Sequence, residues 1–158
     1  MATKTKPIPD GYHTLTPYLT VRGASDAIEF YKKAFEATEL CRLNMPDGKI
    51  AHGEFKIGGS MFMISDENPG WDVASPEKLG GSPVALHLYV ADADTTFSGA
   101  IKAGAKETVP LANHFWGDRM GEVADPFGHR WLIATHIEDV DPSELQSRME
   151  AYCAAKPA

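Results

Sequence analysis

The sequence predicts an α+β protein made of two tandem βαβββ modules, with a helix after the second. Three observations carry that prediction. Residues 88–109 (LYVADADTTFSGAIKAGAKETV) lie over residues 19–40 (LTVRGASDAIEFYKKAFEATEL) without a gap, an offset of 69 positions. Gly117 answers Gly48 and Gly128 answers Gly59 at the same offset. Each half also sets one amphipathic helical stripe among short alternating segments bounded by Gly and Pro turns. Matching patterns held in one register over most of two halves are the signature of a duplicated unit.

The elements follow in order. Residues 1–13 are a polar, extended arm carrying Pro7 and Pro9. Leu15 to Val21 alternates, and Pro17 near its start suits an edge strand, where a missing donor breaks no ladder. Ser25 or Asp26 is placed to cap a helix through Phe35, with Ala27, Ile28, Tyr31, Ala34 and Phe35 as its apolar stripe. Strands follow over Thr38 to Met45, Ile50 to Ile57 and Ser60 to Ser65. Pro46-Asp47-Gly48 and Gly58-Gly59 turn the chain between them. Asp66 to Ser82 (DENPGWDVASPEKLGGS) is long for a loop and reads as a lid or a linker. The pattern then restarts. Met120 to Ala124 leads into Asp125-Pro126-Phe127-Gly128, where Pro126 presets φ and Gly128 accepts positive φ, and Arg130 to Thr135 leads out. Asp141-Pro142 supplies a cap and first position for a helix over Ser143 to Ala155. Leu145, Met149 and Tyr152 are its apolar positions, suited to packing on the body or on a partner chain. The organisation is thus 14–66 for the first module, 67–82 for the connection, 83–140 for the second module and 141–158 for the terminal helix and tail.

Composition narrows function. Apolar residues make up 43% of 158, which suits a globular chain, and a net charge of −7 argues against nucleic acid. Cys41 and Cys153 are the only cysteines, so no disulfide framework is implied and a reducing cytoplasm is the expected home. Neither sits beside a base or metal partner in the sequence, which leaves a catalytic thiol unsupported. No run approaches membrane-span length, no signal peptide is evident, and no P-loop or dinucleotide glycine pattern occurs.

TPYLTV, the Ala-Ile-Glu-Phe-Tyr helix, IAHGEF, MFMISDE and DPFGHRWLIATH together resemble the vicinal oxygen chelate superfamily of glyoxalases, bleomycin-resistance proteins and dioxygenases. The likeness is strongest to its PhnB-like branch and spans roughly residues 14–140. It implies cupped half-barrel sheets that hold a small molecule, and homodimers, since half-barrels expose an edge for a partner to cover. It also implies metal ligands at four positions, which here carry Thr16, Met63, Ala85 and Leu132. None is an ordinary ligand for a divalent transition metal, so no stoichiometric Zn²⁺, Ni²⁺, Mn²⁺ or Fe²⁺ and no other cofactor is expected.

If Met63 faces into the cup, hairpin register turns Glu54, His52 and Lys56 inward, and Phe55, Phe62 and Ile64 toward the helices. The same parity turns Tyr18, Thr20, His87 and Tyr89 inward. His52 and Glu54 are the candidate catalytic pair, as general base and partner in a metal-independent lyase or isomerase. Two other readings stand beside it: a lining without chemistry, and a displaced metal site shared with His87. Tyr18, His87 and Tyr89 are candidate ligand-binding residues. So are Phe115 and Trp116, as a clamp on a planar ligand or a plug at the cup's mouth, with Arg119 placed to hold an anionic group. Asp125 and Arg130 read as a structural pair, and His129 and His136 as surface or hydrogen-bonding residues. The function expected is small-molecule binding in a polar-aromatic cup, with the enzyme readings as alternatives.

Overall fold

The computed structural model describes residues 5–155, so the first four positions of the arm and the last three of the tail lie outside it. The elements are β1 (Tyr18–Val21), α1 (Ala24–Phe35), β2 (Thr38–Asn44), β3 (Ile50–Ile57), β4 (Ser60–Asp66) and α2 (Pro76–Leu79). Then come β5 (Ala85–Tyr89), α3 (Ala93–Ala103), β6 (Lys106–Asn113), β7 (Asp118–Ala124), β8 (Arg130–His136) and α4 (Leu145–Ala155). They form two four-stranded mixed sheets, ordered β1-β4-β3-β2 and β5-β8-β7-β6. In each sheet the first strand runs parallel to the last, and the remaining pairs are antiparallel. This is the expected pair of α+β modules with a C-terminal helix. No described helix is long and apolar enough to cross a membrane. Chain contacts resolve two compact units, one reaching Ser82 and including Pro126–Gly128, the other holding Pro83–Asp125 and the chain from His129 onward.

In the first unit, α1 buries Ala27, Ile28, Phe30, Tyr31, Ala34 and Phe35. Tyr31 stacks on Phe55 of β3 at 5.2 Å between ring centroids, and Phe55 on Phe62 of β4 at 5.1 Å. Such aromatic pairs add about 1 kcal/mol each beyond their burial. The helix side of the sheet is therefore the core, and the polar residues of β3 lie on the opposite face.

Two local expectations give way to different solutions. The strand begins at Tyr18 rather than Leu15, which is 85% exposed. The cap of α1 is neither Ser25 nor Asp26. The helix opens on Gly23, at φ 90°, and its first amides are satisfied from across the sheet. Asp66 at the end of β4 accepts from Gly23 N, Ala24 N and, through its other oxygen, Ile50 N. The second unit repeats the device with a smaller group, because Thr135 Oγ1, which is 69 positions on, accepts from Ala93 N at the start of α3. Nor is the connection after β4 structureless. It holds a 3-10 turn over Pro69–Trp71 and the short α2. Glu67 fastens it by accepting from Ser75 Oγ, Ser75 N and Arg22.

The offset of 69 holds from β1 through the β2–β3 turn and again in β4: Leu19 pairs with Ile64, and Leu88 with Ile133. Between them it slips. In the first sheet Asn44 pairs with Ile50 but Leu43 pairs with His52, leaving Ala51 bulged. The second sheet goes from Asn113↔Arg119 to Ala112↔Met120 with no such residue. It restores phase at the next turn, where five residues lie between Ala124 and its partner Arg130, against Gly58-Gly59 between Ile57 and Ser60. Glu54, opposite Met63, therefore matches Glu122, opposite Leu132.

Candidate functional site

The open face of the first sheet is built from one cross-strand row. Cys41 of β2 pairs with Glu54 of β3, Glu54 with Met63 of β4, and Met63 with Tyr18 of β1. Cross-strand partners share a face, so these four side chains line up across the sheet. His52, two residues from Glu54, stands on the same face. Buried Phe55 and Ile64 point the other way, as register predicts, and so does Gly53, where a Cβ would meet Ile64 Cγ2 at 3.1 Å and Ile28 Cδ1 at 3.5 Å.

The row carries a connected polar chain. Tyr18 Oη and His52 Nδ1 are 3.0 Å apart, and His52 Nε2 is 3.1 Å from Glu54 Oε1. Two features point to its proton arrangement. The Tyr12 phenol facing Glu54, and then His52, hold the carboxyl below the usual carboxylate range. An ionised Glu54 only accepts, so Nε2 carries the imidazole proton and Nδ1 accepts from Tyr18 O–H. Tyr18 is 50% exposed, so the chain ends at a phenol open to a ligand.

Two residues join this centre that sequence reasoning left out. Cys41 lies beside Glu54, and partial burial with the neighbouring carboxylate pushes its thiol up. Tyr12, from the segment before β1, turns its hydroxyl toward Glu54. That oxygen is buried and makes no hydrogen bond. Burial, and then the carboxylate it faces, push this phenol up to about 12. Antiparallel register alone points to Cys41, because β2 folds back along β3. Nothing in the sequence signals Tyr12.

The candidates in the second unit gather elsewhere. His87 packs on Tyr89 at 4.5 Å. Tyr89 Oη and Trp116 Nε1 both donate to Asp118, which is almost fully buried and also bonded to His136 Nδ1. Asp139, then Asp118, raise the His136 pKa. The structure thus joins Tyr89 and Trp116 through an aspartate that the sequence reading had not singled out. Trp116 further stacks on His114, while Phe115 packs edge-on against Trp116 and meets Tyr152 of α4. Arg119 stands on the side of α3, its guanidinium spread over Asp94 at 2.5 and 2.6 Å with Asn113 beside it. Arg130 pairs with Glu122, and Asp125 accepts from His129 N and Trp131 Nε1.

The four positions at which the resemblance implies metal ligands carry none of the usual donors. Met63 offers a thioether between Tyr18 and Glu54, Ala85 sits opposite Arg130, and Leu132 lies between His87 and Glu122. Thr16 adds one neutral hydroxyl before β1. Such a set lacks the imidazole, carboxylate or thiolate donors that a divalent transition metal needs.

Comparison with known proteins agrees with this architecture. The model of the Glyoxalase/Bleomycin resistance protein/Dioxygenase superfamily matches residues 12–133. The Mycobacterium bovis protein Mb0911c is 44% identical over 140 residues, covering 87% of this chain and 92% of the relative. The X-ray structure of the Arabidopsis thaliana At5g48480 product is 30% identical with a TM-score of 0.63, covering 78% of this chain and 98% of that one. The PhnB protein from Bacillus cereus shares the fold, with 19% identity, a TM-score of 0.61 and coverage of 78% and 99%.

Proposed function

The chain belongs to the Glyoxalase/Bleomycin resistance protein/Dioxygenase superfamily, and from that premise we propose that it binds a small molecule on the open face of its first sheet without using the superfamily's usual metal positions. The observation that carries this reading is the Tyr18–His52–Glu54 chain, a pre-ordered polar track with an exposed phenol at its outer end. Met63 beside it supplies a soft, polarizable floor suited to an aromatic or unsaturated ligand. In this reading the protein acts as a cytoplasmic homodimer, and His87, Tyr89, Phe115 and Trp116 are candidate ligand contacts of the second unit by itself. The test is to purify the protein without a polyhistidine tag and identify any retained small molecule by native mass spectrometry. Tyr18→Phe and Glu54→Gln are expected to lose it, and Thr16→Ala to keep it. Light scattering that finds a monomer at micromolar concentration would remove the dimer from the reading.

One observation favours a second reading, a metal-independent lyase or isomerase. The catalytic pair was expected to use Glu54 or His52 as base. A carboxylate held in its ionised form is a weak base, so in this reading His52 does the work and Glu54 steadies the imidazolium. A substrate C–H proton passes to Tyr18 Oη as the phenol's own proton moves to His52 Nδ1. Solvent deuterium exchange into α-protons of small carbonyl compounds, lost in Tyr18→Phe and His52→Ala, is its expected signature.

A further inference from the structure

Glu54 differs from the other sheltered glutamates in what neutralises it. Glu122 takes Arg130, Glu67 takes Arg22, and Glu39 takes Lys32 and Arg42. Glu54 meets an imidazole, a phenol and a thiol. An ionised carboxylate on a half-buried face gains most from a positive charge, and here no arginine or lysine among the described residues pairs with it. The surrounding atoms are also the wrong kind for a simple structural carboxylate. Cys41 Sγ, a ring nitrogen of His52 and a Glu54 carboxylate oxygen all lie within 4.8 Å of one another. They come from two adjacent strands whose register fixes them: Cys41 and Glu54 are direct partners, and His52 is two residues along.

We infer that this cluster is a zinc site, with Cys41 Sγ, His52 Nε2 and Glu54 Oε as ligands and a fourth position open to water or to the bound molecule. Sulfur, nitrogen and oxygen donors in threes with one open position suit Zn²⁺. Two further features of the structure meet what such a site needs. A ligating histidine normally has its other ring nitrogen held by a polar partner, and Tyr18 Oη stands 3.0 Å from His52 Nδ1. The buried Tyr12 hydroxyl, which has no hydrogen-bond partner among the described residues, faces the same carboxylate and would gain one from a water at the open position.

The protons balance simply. Binding expels the Cys41 S–H proton to solvent. The imidazole proton moves from Nε2 to Nδ1, so the Tyr18–His52 hydrogen bond reverses and the ring now donates to the phenol oxygen. The metal takes over the place of the His52–Glu54 hydrogen bond. No redox change is involved, and affinity should rise with pH because a thiol proton is released.

The inference rests on the proposed cup as the ligand site but does not require any particular small molecule. Tag-free protein is titrated with Zn²⁺ against a chromophoric chelator, and with Co²⁺ by absorption spectroscopy. One zinc per chain is expected, with a thiolate-to-cobalt charge-transfer band in the near ultraviolet. Cys41→Ser is expected to abolish that band and His52→Ala to abolish stoichiometric binding. Tyr18→Phe should weaken binding roughly tenfold or more, as loss of an outer hydrogen bond does elsewhere. Thr16→Ala should leave it unchanged. Wild-type protein that takes up no zinc at micromolar concentration, or a Cys41→Ser variant that keeps the full affinity, overturns the inference. If zinc is absent yet Tyr18→Phe and Glu54→Gln still strip a retained small molecule, only the metal falls. If zinc binds but no small molecule is retained, the cup reading falls instead.

Discussion

The two modules set the same row of four positions across their sheets and fill it differently. In the first the row reads Cys41, Glu54, Met63, Tyr18; in the second it reads Val109, Glu122, Leu132, His87. The glutamates match, but their surroundings do not. Glu122 is locked by Arg130 and by Thr108 Oγ1, which donates to it, so its charge is spent inside the protein. Glu54 faces groups that give hydrogen bonds without a fixed charge. One row has become structural while the other keeps a charge in reserve for something from outside. On the proposed reading, a duplicated fold lets one copy secure the sheet and frees the other for a ligand.

The largest expected effect tests the helix caps that the two modules share. Asp66→Ala removes the acceptor for three backbone amides and should cost about 3 kcal/mol in urea denaturation, since buried donors are left unmet. Thr135→Ala removes the acceptor for one and should cost about 1 kcal/mol. Equal losses would mean that the first module does not depend on Asp66 as the geometry implies.

Next comes the pair of glutamates. Arg130→Met strands the Glu122 carboxylate at a site where it is 7% exposed, and should lower the thermal midpoint by several degrees. Glu54→Gln should leave that midpoint nearly unchanged, because no ion pair with lysine or arginine is broken. Scanning calorimetry of both variants decides whether the charge at Glu54 is held for stability or for binding.

The modules should also differ in their response to pH. Ser75 and then Arg22 pull the Glu67 carboxyl down to about 2, so its share of stability is present above the ordinary carboxylate range and is lost as pH falls toward 2. His136 has a raised pKa, so its share is present below the ordinary histidine value and is lost as pH rises through the raised one. Glu67→Gln should flatten only the acid limb of a stability-against-pH curve, and His136→Gln only the limb near and above neutrality. The smallest effect is expected at Trp71, which is 55% exposed: Trp71→Ala should stay within about 0.5 kcal/mol of the wild type.

Most of the fold was legible because duplication doubles the evidence. A weak strand signal over Leu19 gained force from its twin over Leu88, and the two-glycine turn at Gly58 set four register pairs down to Glu54↔Met63. The inward face of β3 followed from that register. What stayed hidden depended on partners far apart in sequence. The cap of α1 comes from Asp66, 42 positions after Ala24, so local capping rules looked to Ser25 and Asp26 instead. Cys41 looked isolated because its neighbours in sequence are unremarkable, and only the β2–β3 pairing brings it to Glu54. Arg119 looked free because Asp94, which holds it, lies on a different element. Asp118 drew no reading of its own between Trp116 and Arg119, although three side chains converge on it.

The bulge at Ala51 makes the β3–β4 hairpin and its counterpart non-interchangeable, despite their common ancestry in pattern. A single extra residue in a strand reverses the facing of everything beyond it, and the turn that follows must be of matching length to set the next strand right. The first module has the extra residue in β3 and a short turn, whereas the second has no matching extra residue in β7 and a longer turn. A hybrid that takes its strand from one half and its turn from the other would send its glutamate into the hydrophobic layer. Recombination between the halves is therefore productive only when the whole stretch from the β2–β3 turn through the start of the last strand travels as one cassette. That linkage turns a duplicated gene segment into two lineages that can no longer trade parts.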